Sequence, residues 1–380
     1  MTLLFSNKKL FTPGPTTTSE QAIQAMSAPS TYHRDPEFYE SFTNCRKLLA
    51  PFFGSQALPY IFTSSGTGAM EAAVVNFTSP GDEVLSVVGG KFGQRWFDIS
   101  DSYGCKTHKL AVKPGSSPTA EQISASLKAN PQIKAVLIQA SETATGASYP
   151  VEKIAKLIRA QFNGLIMVDA ISALCAHEIK MDAWGLDVVI GGSQKGLGVP
   201  PGLSFINLSA KAHDSFSDRS RFYFDLKREM KGQDEGRSAF TPAAGLIVGL
   251  EQSLKTLNQL GVDQVVNHHK KLTEAARAAI TGLGLELFVK DSYSHAVTSF
   301  LPPAGISASD LLKSMKADDQ IIFSGGQDEL KGKILRLGHL GFMSRLDLIT
   351  GLSALEFALV KLGAKIQLGD GVAQAMKILK

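Results

Sequence analysis

A lysine set among glycines at the end of an apolar run is the residue of this sequence best suited to covalent chemistry. The stretch GGSQKGLGVPPG, Gly191 to Gly202, follows directly on the strand-like LDVVIG and carries Lys195. Small neighbours let a ligand approach the backbone. An amine partly withdrawn from water there loses proton affinity, as an imine-forming nucleophile must. The bland alternative is a solvated lysine in a glycine-rich turn, and the residues brought to the same sheet edge decide between the two.

Asp169 closes the run LIMVD, one strand earlier, and can lie at that edge. A carboxylate there can pair with a protonated pyridine nitrogen, which lets the ring accept electrons from a substrate carbanion. Equally, it can be the N-cap of a following helix. The stretch TSSGTGAMEAAVVNF, Thr63 to Phe77, reads as strand end, Ser/Gly/Thr turn and helix. Its free backbone N–H groups and positive dipole end make a phosphate cradle. Gly66, Thr67 and Gly68 also begin a G-x-G dinucleotide loop. That reading fails because Glu71 stands where a third small residue is needed and no acid closes the next strand to hold a ribose.

The elements that must position these groups follow from the apolar pattern. Seven short runs are candidate strands: Tyr60 to Thr63, Glu83 to Val88, Lys106 to Ala111, Lys134 to Gln139, Leu165 to Asp169, Leu186 to Gly191 and Leu203 to Asn207. They alternate with segments of helical period, a βαβ series. Runs such as AVLI and LIMV lack in–out alternation, so they belong to a mostly parallel sheet covered on both faces, with ligands at the strands' carboxyl ends. After about Leu250 the pattern changes to long amphipathic helices and a few strands, LELFV, AVTSFL, QIIFS and ILRLG, which make a smaller α+β unit. The turn-rich FTPGPTTT cannot be a helix interior and must run as an arm. The expected division is an arm over 1–15, a large domain over 16–255 and a small C-terminal domain over 256–380.

Nine ordered motifs now stand together: TPGPT, YHRDPEF (Tyr32 to Phe38), SSGTGAMEAA, GGKFGQRW (Gly89 to Trp96), SETATG (Ser141 to Gly146), MVDAIS, GSQKGLGVPPG, the pair Thr241 and Pro242, and LRLGHLG (Leu335 to Gly341). Over most of the chain they resemble the class V aminotransferases of the fold-type-I enzymes that use pyridoxal 5'-phosphate (PLP). The alanine-glyoxylate and serine-pyruvate branch is the most similar. This resemblance implies the α/β PLP-transferase fold and a homodimer with shared active sites. It makes Lys195 the Schiff-base lysine and Asp169 the partner of the pyridine nitrogen. Ser65, Gly66 and Thr67 would hold the phosphate, helped by Gln194 and by Thr241 of a second subunit. Phe92 would stack on the ring, in a place where many relatives have tryptophan, and Thr143 would bring a hydroxyl near the cofactor, with Glu142 ordering that loop. Arg336 would grip the substrate carboxylate, and the backbone near Gly14 would close over it. For Phe92 the alternative is an ordinary core residue, and for Arg336 a structural ion pair.

The activity so implied is ping-pong transfer of an amino group from alanine or serine to glyoxylate or pyruvate. A 2-aminoethylphosphonate–pyruvate aminotransferase is the rival within the fold, since TPGPTTTS also resembles its N-terminus, whereas YHRDPEF favours the glyoxylate branch. A noncatalytic relative serving as a binding subunit is the rival of another class. A cysteine desulfurase needs a cysteine on a late mobile loop, and all three cysteines precede residue 176.

Bulk properties agree with an enzyme of small molecules. The 380 residues exceed what one core comfortably organises. With 44% hydrophobic and 19% charged residues the chain is an ordinary globular one. The net charge of +4 is scattered, and the run Asp225 to Arg237 mixes both signs, so no nucleic-acid partner is expected. Cys45, Cys105 and Cys175 are widely spaced and odd in number, which suits a reducing, cytoplasmic compartment. His33, His268, His269 and His339 have no metal-ligand spacing, and no metal is expected. The opening MTLLFSNKKLF is too weakly apolar for a signal-peptide core, and no later run approaches a membrane span.

Overall fold

The structure, a computed structural model, describes residues 8–28 and 32–380; most of the opening segment weighed as a signal peptide lies outside them. The strands are β1 (Lys9–Phe11), β2 (Tyr60–Phe62), β3 (Glu83–Val88), β4 (Lys106–Ala111), β5 (Ile133–Gln139), β6 (Ser141–Glu142), β7 (Ala147–Ser148), β8 (Leu165–Asp169), β9 (Val188–Gly192), β10 (Ser204–Leu208), β11 (Val297–Phe300), β12 (Ile321–Gly325) and β13 (Leu335–Gly338). Seven of them form one sheet in the order β2-β10-β9-β8-β5-β3-β4. Only β10 runs antiparallel to its neighbours. These are the seven runs expected from the sequence, with ends moved by at most two residues.

The lack of alternation in those runs has a simple origin. Along β8, Ile166 and Val168 enter one apolar cluster while Leu165 and Met167 enter another on the opposite face. In β5, Val136 and Ile138 divide from Ala135 and Leu137 in the same way. A strand covered by helices on both sides has no polar face to display.

A second sheet has the order β1-β12-β13-β11 and its own core, which includes Phe11, Leu311, Phe323, Leu337 and Leu352. Two expectations are corrected here. LELFV is not a strand; Leu287 makes an isolated bridge to Phe300, outside the edge strand β11. The chain then turns away, and Tyr293 bridges instead to Ala147. The fourth strand is β1, three residues pairing in parallel with β12, too short for periodicity to reveal. From β1 the segment Thr12–Ser19 crosses to the lysine loop. There Thr16 N–H donates to Gln194 O at 3.1 Å and Ser19 N–H to Gly198 O at 2.9 Å. Among the described residues no helix is long and apolar enough to cross a membrane.

Candidate active site

Lys195 lies just beyond the carboxyl end of β9, in a loop held from several sides. Its carbonyl accepts the Thr16 hydroxyl at 2.8 Å and the Gly198 N–H at 3.1 Å. Gly196 is pressed so closely on the Leu174 carbonyl that a Cβ would stand 2.3 Å from it. The amine Nζ donates to the Pro13 carbonyl at 2.7 Å, and the residue as a whole is 8% exposed. Burial pulls its pKa down to about 8; Asp169 opposes this, while Arg336 and Arg95 add to it. An amine so tuned is available as a nucleophile near neutral pH.

Asp169 ends β8 on the same sheet edge, with Oδ1 accepting the Ile171 N–H at 2.8 Å. Burial raises its pKa to about 6 against that bond and the charges of Lys195 and Arg95. The N-cap alternative fails, because turns and not a helix follow it over Ile171–Ala176.

The segment Thr63 to Phe77 takes the strand-end, turn and helix order expected of it. Ser65 is the N-cap of the helix Gly66–Phe77, and its side chain makes no capping bond. A Cβ on Gly66 would stand 2.5 Å from Ile171 Cδ1, so any larger residue there must push the Ile171 side chain aside. Gln194 adds an amide whose buried Oε1 has no partner. An orphan polar atom, unspent helix N–H groups, a buried carboxylate and a softened lysine at one sheet edge are the set that PLP requires, and the residues fit that group.

Phe92 and Arg336 meet through Glu142. The helix Lys91–Ser102 has Gly90 as its N-cap, which has no side chain to offer. Glu142, at the end of β6, takes that role: its Oε2 accepts the N–H groups of Phe92 and Gly93, each at 3.0 Å, and the Gln139 amide at 3.0 Å. A Cβ at Gly90 would stand 2.6 Å from the carboxyl carbon. Burial raises the Glu142 pKa to about 7, opposed by the N–H groups of Gly93, Ala144 and Phe92. The ring thus fixed has its centroid 6.0 Å from Lys195 Nζ. The next residue, Thr143, presents its carbonyl to Arg336 Nη1 at 2.8 Å, and Gly325 O takes Arg336 Nε at 2.8 Å. Nη2 has no protein acceptor among the described residues. Arg336 is therefore held by carbonyls and not by an acid, and burial lowers its pKa to about 10.

Gly14 stands against the lysine: at φ +135° its Cβ would meet Nζ at 2.3 Å. Thr241 lies elsewhere in the same chain, exposed in a basin with Arg34, Arg228 and Arg237. Sequence reading missed the Pro13 carbonyl and Arg95. The signal for Arg95 was its place three residues after Phe92, on one helix face. Cys45, Cys105 and Cys175 are buried free thiols, each with its pKa raised by burial. Among the described residues no group of His, Cys, Asp and Glu converges as a metal site.

A family model described as aminotransferase class-V matches residues 10–337. The chain belongs to the class-V aminotransferases. This class-V aminotransferase is 36% identical over 97% of its length, and 98% of the relative's, to a protein of Synechococcus sp. (strain PCC 6716) named soluble hydrogenase, small subunit. It is 34% identical to the serine–glyoxylate aminotransferase of Hyphomicrobium methylovorum, covering 96% of this chain and 93% of that one. Among solved structures, the aspartate aminotransferase of Thermus thermophilus assigned to subgroup IV superposes with a TM-score of 0.88 at 31% identity, over 93% of this chain and 99% of that one. The fold of this class-V aminotransferase is that of the PLP-dependent enzymes, and the family implies PLP as its cofactor.

Proposed function

We propose that the protein transfers the amino group of a small amino acid, alanine or serine, to a small 2-oxo acid, glyoxylate or pyruvate, by a ping-pong mechanism. The observation that carries the reading is the pairing of Lys195, a buried amine with lowered pKa, with the buried Asp169 at one sheet edge. Lys195 would hold the cofactor aldehyde, Asp169 its ring nitrogen and Phe92 its ring face. Ser65, Gly66, Thr67 and Gln194 would take its phosphate, with Thr241 of a second copy in a homodimer. When bound, PLP supplies an electron sink that stabilises the carbanion left by loss of the α-proton.

The chain's own residues do the rest. Arg336 offers its free Nη2 to the substrate carboxylate, where a planar fork suits bidentate pairing. The Gly14 backbone closes over the same place. Lys195 Nζ would move the α-proton as a general base. The preference for a small donor rests on the resemblance and on the serine-specific relative, while the aspartate enzyme makes an acidic donor the alternative to be tested. We further propose the division into an arm (1–15), a large domain (16–255) and a small domain (256–380), and a cytoplasmic location.

The relative named as a hydrogenase subunit favours a second reading, a noncatalytic subunit of a larger assembly. Absorbance separates the two. The PLP-incubated protein is expected to show a visible band that L-alanine or L-serine bleaches and glyoxylate or pyruvate restores. L-aspartate and 2-aminoethylphosphonate serve as competing donors. If no band forms with PLP, the transaminase reading is wrong and the subunit reading replaces it.

A further inference from the structure

The cradle assembled above is neutral. Ser65, Gly66, Thr67 and Gln194 contribute hydroxyls, an amide and backbone N–H groups, and the helix start adds roughly half a positive charge. A phosphate monoester carries about −1.5 to −2 near neutral pH. The ligand implied by the site therefore arrives with more charge than these groups can balance.

One cation stands where the balance is missing. Arg95 projects from the helix Lys91–Ser102 one turn after Phe92, and its Nη1 donates to Thr67 Oγ1, in the first turn of the cradle helix, at 3.1 Å. Its guanidinium carbon lies 4.9 Å from the Phe92 ring centroid. The contact with Thr67 is its one hydrogen bond among the described residues, and no carboxylate there lies within ion-pair distance. The side chain is nevertheless half-buried. Its charge reaches both Asp169 and Lys195, the two groups at the carboxyl ends of β8 and β9. A partly desolvated guanidinium with unspent donors and no acid beside it is expensive to keep unless an anion completes it.

We propose that Arg95 is the cationic partner of the cofactor phosphate, forming a charge-assisted contact over Thr67 that the neutral cradle lacks. The proposal rests on the PLP reading of the site. The distal carboxylate of an acidic donor is the other anion that could reach a guanidinium here. The bond to Thr67, one of the residues that would hold the phosphate, favours the phosphate, whereas Arg336 is bonded to the Thr143 and Gly325 carbonyls and not to the cradle.

The test compares PLP with pyridoxal, which has the same ring and aldehyde and no phosphate. Both are titrated into the ligand-free chain and into Arg95→Gln and Arg95→Lys, following absorbance, with melting curves to confirm folding. For Arg95→Gln, PLP affinity is expected to fall roughly 10- to 100-fold, the range for a lost charge-assisted hydrogen bond. Pyridoxal affinity should stay within about 3-fold, the lysine variant should recover part of the loss, and added salt should weaken PLP binding more in the wild type than in Arg95→Gln. Equal losses for PLP and pyridoxal would overturn the proposal, leaving Arg95 as a support for Phe92. Unchanged PLP affinity, with a raised KM for aspartate alone, would assign it to the substrate instead. A wild-type chain that binds neither compound would refute the PLP reading itself, and this proposal with it.

Discussion

The Lys195 amine is the residue on which most can be measured. With its pKa lowered to about 8, the ligand-free chain should capture PLP at a rate that rises about tenfold per pH unit below that value and levels off above it, because only the neutral amine attacks. Stopped-flow absorbance across pH 6 to 10 reads the midpoint, and a midpoint near that of free lysine would contradict the burial argument. Lys195→Ala should leave a folded chain whose turnover drops by at least ~10⁴, since the covalent anchor and the proton carrier go together. Gly14→Ala tests the approach from the arm. A methyl at φ +135° against Nζ should cut turnover strongly and also lower the melting temperature, since the backbone there is strained for any residue with a Cβ; a variant of full activity would show that the arm does not press on the lysine. At this scale the sequence was legible where the signal is local, as for Lys195 among glycines and Asp169 at a strand end. It was silent on the Pro13 carbonyl, 182 residues from its partner Lys195, and the helical spacing of Arg95 from Phe92 was a signal that went unread.

At the scale of elements, the helix carrying Phe92 begins on a borrowed cap. Replacing Glu142 by alanine leaves the N–H groups of Phe92 and Gly93 and the Gln139 amide without their acceptor, and a loss of roughly 2–4 kcal/mol in urea denaturation is expected. Glu142→Gln keeps one carbonyl oxygen for those donors and should retain at least half of that stability. If both variants unfold alike, a neutral carbonyl does not replace the carboxylate as the cap, and the lost volume in the alanine variant adds nothing. The sequence supplied the seven strands of the main sheet because doubly covered strands announce themselves as apolar runs. It misread LELFV, since an apolar run outside an edge strand has the same composition as a paired one. It missed β1, because three residues hold no period.

At the scale of the whole molecule, buried histidines join the two sheets. His177, which follows β8, stacks on His295 at 4.4 Å, while His339 bonds Thr298 at 2.9 Å and His269 Nδ1 lies 2.8 Å from the Val265 carbonyl, the one carbonyl to which a neutral ring need donate. Burial lowers the pKa of His177 and His339 to about 3 and that of His269 to about 4, from 6.5. A base whose pKa is depressed by folding adds stability that is fully present above its unfolded value, and this is lost as pH falls through the folded one. Between about pH 7 and pH 5 each of the three should therefore cost the fold about 2 kcal/mol. Urea midpoints at the two pH values measure the loss, and His339→Gln should flatten the slope relative to wild type. An unchanged slope would mean that these rings titrate normally.

The pairing of β1 with β12 also sets an order of events during synthesis. Residues 9–11 are synthesised long before their partner strand, 321–325. Until then the small sheet lacks an edge and the arm that carries the Pro13 carbonyl has nothing to anchor it, so the lysine pocket stays unroofed. Closing so long a loop is an entropic cost met late and once. A nascent chain that has not yet reached β12 thus carries the lysine without the roofed pocket in which its amine is buried.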